Sequence, residues 1–375
     1  MERCTACTFV SFTVVAIHTA QVVVGVGVAQ SRCRRRQRAT SMRAALATAA
    51  AAAVAAALYV RRRRRDKLRW VAAVLADSPY VEEALVAAAL ALECGAAIRG
   101  VRRGASAVWK DGAGGIDPVT ETDEANERLV TNTLRRKFPN HAIVGEEAAA
   151  ALGCVPEISP SVPTWVVDPV DGTQNFVHGV PLAVVSIGLC VGGVPALGVV
   201  YHAAADELYV GAPSAGGAWL NGERIAPDGA TALPEALVAT DVGYERSAEG
   251  IQKLCATSAA VLAGNVRALR IFGSTVLCLV WVACGRCSAF YCGVHKRDCP
   301  KPWDWCAGHA ICAAVGVTFL RLDGPRIAPD AGDGFDVHAG SAVCAGTPAL
   351  ARAVRAAVLG GLADRSRVVV PTAAG

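Results

Sequence analysis

The sequence predicts a layered α/β sandwich with an N-terminal α+β half and a C-terminal α/β half, set behind a basic leader. Three observations predict it. Between residues 142 and 220, short apolar runs follow one another across glycine and asparagine turns, the pattern of a meandering antiparallel sheet. From about Pro234 the rhythm becomes short strands alternating with helical stretches, which predicts an α/β arrangement. The first 70 residues differ in charge and composition from everything that follows. The divisions read as 1–70 (leader), 71–233 (first half), 234–366 (second half) and 367–375 (tail).

With 375 residues, 53% hydrophobic and 18% charged, the body can bury a sizeable core and does not have the composition of a disordered chain. The net charge of +5 hides a split, since residues 1–70 hold 14 Lys/Arg against 2 Asp/Glu, leaving the remainder at −7. A mildly acidic body without a basic stripe excludes nucleic acid as its partner and leaves targeting or membrane contact to the leader. In the leader, Thr8 to Gln30 is an apolar run followed by Arg32, Arg34, Arg35, Arg36 and Arg38, which resembles a signal sequence with a transit-like continuation. A second uncharged run, Ala44 to Val60, abuts Arg61 to Arg65 and reaches only the lower end of the roughly 17–25 residues of a spanning helix. Organelle targeting of the plastid type and a weak membrane anchor both stay open, with a cytoplasmic location otherwise. The fifteen cysteines are odd in number and scattered, as buried thiols of a reducing compartment would be. Cys284, Cys287, Cys292, Cys299 and Cys306 lie closest together but lack the second Cys-x-x-Cys pair of a zinc site.

Ser78-Pro79 followed by Glu82 and Glu83 predicts a helix running toward Arg99, loosened by Gly100 and Gly104. After the glycine-rich turn 111–115, a second helix starts near Thr122, with Asp123 and Glu124 in its first turn, and stops before Pro139. Strands are expected at 142–144, 165–167, 182–191, 196–201, 207–210 and 218–220. The second half reads as strands at 237–240, 266–271, 289–292, 318–322 and 342–345. Between them lie helices at 248–262, from 275, at 303–315 and after 345.

The densest chemistry lies in Trp165-Val166-Val167-Asp168-Pro169-Val170-Asp171-Gly172-Thr173. An apolar strand delivers Asp168 to its end, Asp171 follows three residues later, and the Val170 carbonyl lies between. Three hard oxygen donors suit Mg²⁺ and would suit a metal pair sharing a carboxylate. Gly172 and Thr173 open a helix whose free N–H groups can seat an anion. On its own, such a turn is as often a plain helix cap. Three more motifs accompany it: Gly145-Glu146-Glu147 after a strand, Asp117-Pro118-Val119-Thr120-Glu121-Thr122-Asp123 before a helix, and Lys301-Pro302-Trp303-Asp304-Trp305-Cys306-Ala307-Gly308 opening another.

In this order and spacing the four motifs resemble those of the inositol monophosphatase family, over roughly residues 75–360. Phe176-Val177-His178-Gly179 and Gly198-Val199-Val200-Tyr201 are similar to its inositol phosphatase branch. The resemblance implies an αβαβα sandwich and hydrolysis of a small-molecule phosphate ester by metal-activated water, with inositol monophosphate as the expected substrate. It implies two or three Mg²⁺ ions, lithium sensitivity and a homodimer. By resemblance, Glu146, Asp168 and the Val170 carbonyl hold one metal, and Asp168, Asp171 and Asp304 a second. Asp123, Thr173 and Glu146 then position and deprotonate the water, while Gly172 and Thr173 hold the phosphate. Gly273-Ser274-Thr275 matches the family's substrate-side turn, and Lys110 stands where a lysine precedes the Asp123 motif.

The sequence departs from the family pattern where a glutamate grips the sugar hydroxyls, a place held here by Cys292, whose thiol is a weak acceptor. Extra residues including His295, Lys296, Arg297 and Lys301 follow; they read either as a solvated basic loop or as a recruiter of a second anionic group. Histidinol-phosphate and sugar-phosphate hydrolysis, for instance of galactose 1-phosphate, stay open as alternatives on the same fold. A catalytically silent membrane-tethered binding protein is the alternative of another class. Each acid alone has a plainer reading, Asp123 as a first-turn acid and Asp304 as a helix cap.

Overall fold

A computed structural model describes residues 48–364 except 53, 56, 102–105, 111, 113–114, 323–336 and 339. The expected signal-like run 8–30, much of the turn 111–115, Gly104 and the tail 367–375 therefore lie outside or largely outside the described residues. Residues 1–63 and 64–375 form two compact units. In the first, the described residues are helical and exposed. Among the described residues, no helix is long and apolar enough to cross a membrane.

The second unit begins with α1 (residues 64–74) and α2 (Val81–Gly100), followed by a hairpin of β1 (Ala107–Trp109) and β2 (Pro118–Thr120). Helix α3 (Glu121–Lys137) starts where the Thr120 side chain accepts the amides of Thr122 and Asp123, while the Asp123 carboxylate takes the Thr120 amide in return. Then come β3 (Ala142–Gly145), α4 (Glu146–Leu152), β4 (Thr164–Asp171), α5 (Thr173–His178), β5 (Val184–Val191), β6 (Val194–His202), β7 (Glu207–Ala212), β8 (Gly217–Leu220) and β9 (Glu223–Arg224). The remainder alternates: β10 (Leu237–Thr240), α6 (Ala248–Ala263), β11 (Ala268–Ile271), α7 (Thr275–Ala283), β12 (Ala289–Cys292), α8 (Pro302–Ala314), β13 (Thr318–Leu320), β14 (Ala342–Ala345) and α9 (Pro348–Ala363).

Strands β3 to β9 form one seven-stranded sheet in sequence order. It departs from a pure antiparallel meander in its first pair, because β3 and β4 run parallel. The chain between them carries α4 and a long return, enough for the crossover that parallel pairing requires. The second sheet has the order β11-β10-β12-β14-β13, with β10, β11 and β12 parallel and β13 and β14 antiparallel to their neighbours.

Helices cover both faces of both sheets, which gives the five layers of an αβαβα sandwich and three apolar cores. One core packs α2 and α3 on the first sheet through Leu90, Leu134, Trp165 and Val167. The central core fills the space between the sheets with α7 and α8, through Val166, Leu279, Trp305 and Ile311. The third seats α9 on the second sheet through Leu350, Val354 and Val358. Strand β4 is buried along its whole length, because alternate residues feed the first and the central core.

Helix α8 lies unusually close to the first sheet for a readable reason. Gly188, Gly198 and Gly211 stand opposite one another on β5, β6 and β7, forming a strip without side chains. A methyl group at Gly188 or Gly198 would run into Cys306 or the Ala307 backbone. This strip sets α8 down on the sheet, and its first turn, with Asp304, reaches the end of β4.

Candidate active site

In a regular strand, residues three apart point to opposite faces. Asp168 and Asp171 escape that rule because the pairing of β4 with β5 shifts register between them. Asp304, in the first turn of α8, completes the set: ligand oxygens of Asp168, Asp171 and Asp304 lie within 4.8 Å of one another. Among the described residues this is the one group of potential metal-ligating side chains so close together.

Each carboxylate is aimed by a backbone N–H. The Val170 amide donates to Asp168 Oδ1 at 2.9 Å, the Val276 amide to Asp171 Oδ2 at 3.1 Å, and the Lys301 amide to Asp304 Oδ2 at 2.6 Å. The Ser274 hydroxyl also donates to Asp171. These bonds oppose but do not cancel the cost of crowding buried charges. Burial, then the negative charges of Glu146, Asp171 and Asp304, push the Asp168 carboxyl well above the usual range. Burial and Asp171 do the same to Asp304, and burial followed by Asp241 raises Asp171. A cluster of acids held together against their own repulsion, with only oxygen donors, fits a hard divalent cation such as Mg²⁺.

Gly172 turns the chain out of β4 in a left-handed conformation, φ 87°, and a Cβ there would lie 2.7 Å from the Leu182 carbonyl oxygen. Thr173 then opens α5, whose first amides have no carbonyl partner inside the helix. The Thr173 hydroxyl lies 3.2 Å from Asp123 Oδ1 and 2.9 Å from the Val170 carbonyl oxygen. Asp123 is completely buried, and burial, added to by Glu146, lifts its carboxyl to about 6 against the pull of Thr120. Asp123 is thus both the helix-capping acid of the plainer reading and a neighbour of Thr173. Asp304 is likewise both a cap and a member of the cluster.

Glu146 opens α4 and lines a cleft of about 510 Å³ together with Asp304. Its Oε1 accepts from Lys110 Nζ at 2.9 Å, and the same ammonium lies 3.1 Å from Glu147. Burial works against the Lys110 charge, yet Glu146 and Glu147 hold it well above the usual lysine range. Lys110 is therefore brought to the acidic centre by two carboxylates. His178 Nδ1 meets the Gln174 carbonyl oxygen within its own helix, 2.8 Å away, an arrangement of local structure.

Of the three residues Gly273, Ser274 and Cys292 expected on the substrate side, the first two are built into the support of Asp171 and the third is in the core. Ser274 is 1% exposed; besides donating to Asp171 it accepts the Leu277 amide as the cap of α7. Gly273 supports it from a turn braced by Asn175, which donates to the Phe272 and Gly273 carbonyl oxygens. Cys292 is also 1% exposed, belongs to the central core and keeps a neutral thiol, since burial and then Cys344 push its pKa well up. It does not line the cleft. The basic residues Lys296, Arg297 and Lys301 do. The described cysteines form no disulfide.

Sequence reasoning missed Glu127 and Asn126. Glu127 reaches from α3 to accept the Glu147 and Ala148 amides, both at 2.8 Å, and so fixes the start of α4. Asn126 donates to the Pro169 carbonyl oxygen at 3.4 Å, bracing the aspartate turn. The signal was available: Asp123, Asn126 and Glu127 share one helix face with Val130 and Leu134, a polar continuation of a buried stripe.

Residues 80–359 match the inositol monophosphatase family. Inositol monophosphatase 1 of Solanum lycopersicum is 43% identical over 203 residues, 54% of this chain and 71% of the relative. Inositol monophosphatase 2 of Homo sapiens is 36% identical over 254 residues, 67% of this chain and 84% of the relative. Among solved structures, the IMPase of Thermotoga maritima superposes with a TM-score of 0.61 at 25% identity, covering 74% of this chain and 96% of that one. The extragenic suppressor protein suhB of Bartonella henselae does so with 0.60 at 26%, covering 73% and 96%.

Proposed function

This chain belongs to the inositol monophosphatase family of phosphoric monoester hydrolases, and from that premise we propose that it hydrolyses inositol monophosphate in a reaction that depends on Mg²⁺. The observation that carries the proposal is the convergence of Asp168, Asp171 and Asp304 within 4.8 Å, beside the Gly172–Thr173 turn.

In this reading Asp168, Asp171, Asp304 and Glu146 supply the carboxylate ligands, and the Val170 carbonyl contributes through the lone pair that Thr173 does not use. Mg²⁺ bound there, as two or three ions, would supply neutralising charge to the ester oxygens, the attacking water and the departing alkoxide. Everything else falls to the protein. The Gly172 and Thr173 amides hold the phosphate. Thr173 has one hydroxyl proton, given to the Val170 carbonyl or to Asp123, and in either case keeps acceptor capacity for a water, while Asp123 and Glu146 take the water's proton. Ser274 and the Val276 amide keep Asp171 aimed, and Lys110 holds Glu146 in place. A homodimer and membrane contact through residues 1–70 are part of the same proposal. Light scattering that returns a monomer would remove the first, and failure of the full chain to float with vesicles would remove the second.

Phosphate release by the purified full chain, with Mg²⁺ and with EDTA, tests the reaction on inositol monophosphate, histidinol phosphate and galactose 1-phosphate. The expected result is the highest kcat/KM on inositol monophosphate and no release in EDTA. A higher value on either of the others transfers the site to that substrate. Absence of release from all three leaves only the silent binding protein, against which the five groups Glu146, Asp168, Asp171, Thr173 and Asp304 speak together.

A further inference from the structure

Part of the cleft lined by Glu146 and Asp304 is built by the loop between β12 and α8. After β12 the chain makes a single 3-10 turn, Lys296–Asp298, before entering α8. The one acid in that turn faces away from the cleft. Asp298 Oδ1 accepts the Tyr244 amide at 2.8 Å and the Glu245 amide at 3.1 Å. His295 pairs with Glu245, a residue only 2% exposed, whose carboxylate also takes the Arg246 and Ser247 amides at 2.9 and 2.6 Å. The loop is thus fastened to the segment after β10 from both ends of the turn.

Fastening by Asp298 leaves the neighbouring cations unneutralised. Lys296, Arg297 and Lys301 are exposed, line the same cleft as Glu146 and Asp304, and form no ion pair among the described residues. Lys110, which lines the same cleft, is already matched by Glu146 and Glu147. A solvated basic loop would need no anchoring and would carry its own acid beside its bases. Here the acid is spent on backbone amides, and the bases are delivered to the mouth of a cleft whose volume suits a small-molecule ligand.

We propose that Lys296 and Arg297, with Lys301, form a second anion subsite, so that the preferred substrate is a phosphate monoester bearing another anionic group, a phosphate or a carboxylate, away from the scissile ester. This rests on the proposed phosphatase reaction and narrows its substrate class. The guanidinium offers a planar pair of donors to either anion and the ammonium groups add compact charge, whereas a neutral polyol has nothing for them to pair with.

The experiment compares the full chain with the Lys296→Ala/Arg297→Ala double variant, both in Mg²⁺, on inositol monophosphate, inositol bisphosphate and 6-phosphogluconate. Expected for the wild type is a kcat/KM advantage on the order of tenfold for at least one doubly anionic substrate, carried by KM, the scale of one good charge-assisted contact. In the variant, that advantage over inositol monophosphate should collapse to about twofold or less. The two doubly anionic probes separate phosphate from carboxylate as the recognised group. Independently of the variant's folding, the wild-type advantage should shrink as salt is raised from low to high concentration. An advantage absent in the wild type, unmoved by salt, or retained in the variant overturns the subsite, and so does an equal loss on all three substrates, which would assign the cations to the scissile phosphate. No release from any substrate instead overturns the phosphatase proposal itself.

Discussion

Two groups of charged residues, an acidic cluster and a basic loop beside it, handle charge in opposite ways. On the β4–α8 side, Asp168, Asp171 and Asp304 are crowded together, each bound to a backbone amide, and all are driven toward protonation by burial and by one another. In the loop between β12 and α8, Lys296, Arg297 and Lys301 are exposed and form no ion pair among the described residues, and the loop's own acid is turned into the body. The first group stores repulsion that a bound cation relieves, and the second stores attraction that an anion can use. With cations held by the first set, a phosphate ester joined to a second anion would be complementary to both, as the proposed subsite requires.

Disabling the acidic cluster has the largest expected effect. Asp171→Asn or Asp304→Asn should lower kcat/KM on the order of 10³-fold or more, since the loss falls on transition-state charge stabilisation. Steady-state phosphate release at saturating Mg²⁺ checks this, and a loss below tenfold would separate these residues from the chemistry. Next comes the strip that delivers α8. Gly198→Ala places a methyl group inside the Ala307 backbone, so a destabilisation of about 3 kcal/mol or a displaced α8 is expected, read by denaturant unfolding. Wild-type stability there would mean that α8 yields easily.

Smaller is the effect of Ser274→Ala, which removes a hydroxyl that aims Asp171 without touching substrate; about a 10- to 100-fold loss in kcat or in Mg²⁺ affinity is expected, with a loss of about 1 kcal/mol of stability because the cap of α7 goes too. Smallest is a pH effect. The Asp123 carboxyl at about 6 lies above its ordinary 3.8, so the folded state binds the proton more tightly. The stability this contributes is present below about pH 4 and lost as pH rises through about 6. Without divalent cations, Tm should therefore fall by a few degrees from about pH 5 to pH 7.5, and saturating Mg²⁺ should flatten that slope. A slope unchanged by Mg²⁺ would break the link between the buried acids and the cation.

What sequence reading could reach follows from the range of the interactions involved. The Asp168–Thr173 turn is local, so an apolar strand, a proline and a helix-opening glycine announce it. From its own residues Asp304 is legible only as the acid of a helix start; the family resemblance alone paired it with Asp168 and Asp171, because that meeting depends on a register shift in β4 and on the glycine strip under α8. Gly188, Gly198 and Gly211 are plain in the sequence, but only strand register lines them up. The hairpin β1–β2 escaped notice because its strands have three residues each and flank a glycine-rich turn. Parallel pairing of β3 and β4 leaves no mark in either strand. For Cys292, position along the chain suggested the substrate side, while packing put the thiol in the core, since all four residues of β12 are buried between covering helices.

Calorimetric titration of Mg²⁺ into EDTA-treated protein and into Asp171→Asn, repeated in buffers of different ionisation enthalpy, is the most direct test that Asp168, Asp171 and Asp304 form a cation site. The expected result is saturable binding to the wild type with release of protons from the raised carboxyls, and a binding isotherm lost or weakened at least tenfold in the variant. Equal binding by both proteins, or phosphate release that persists in EDTA with no saturable heat, would contradict it.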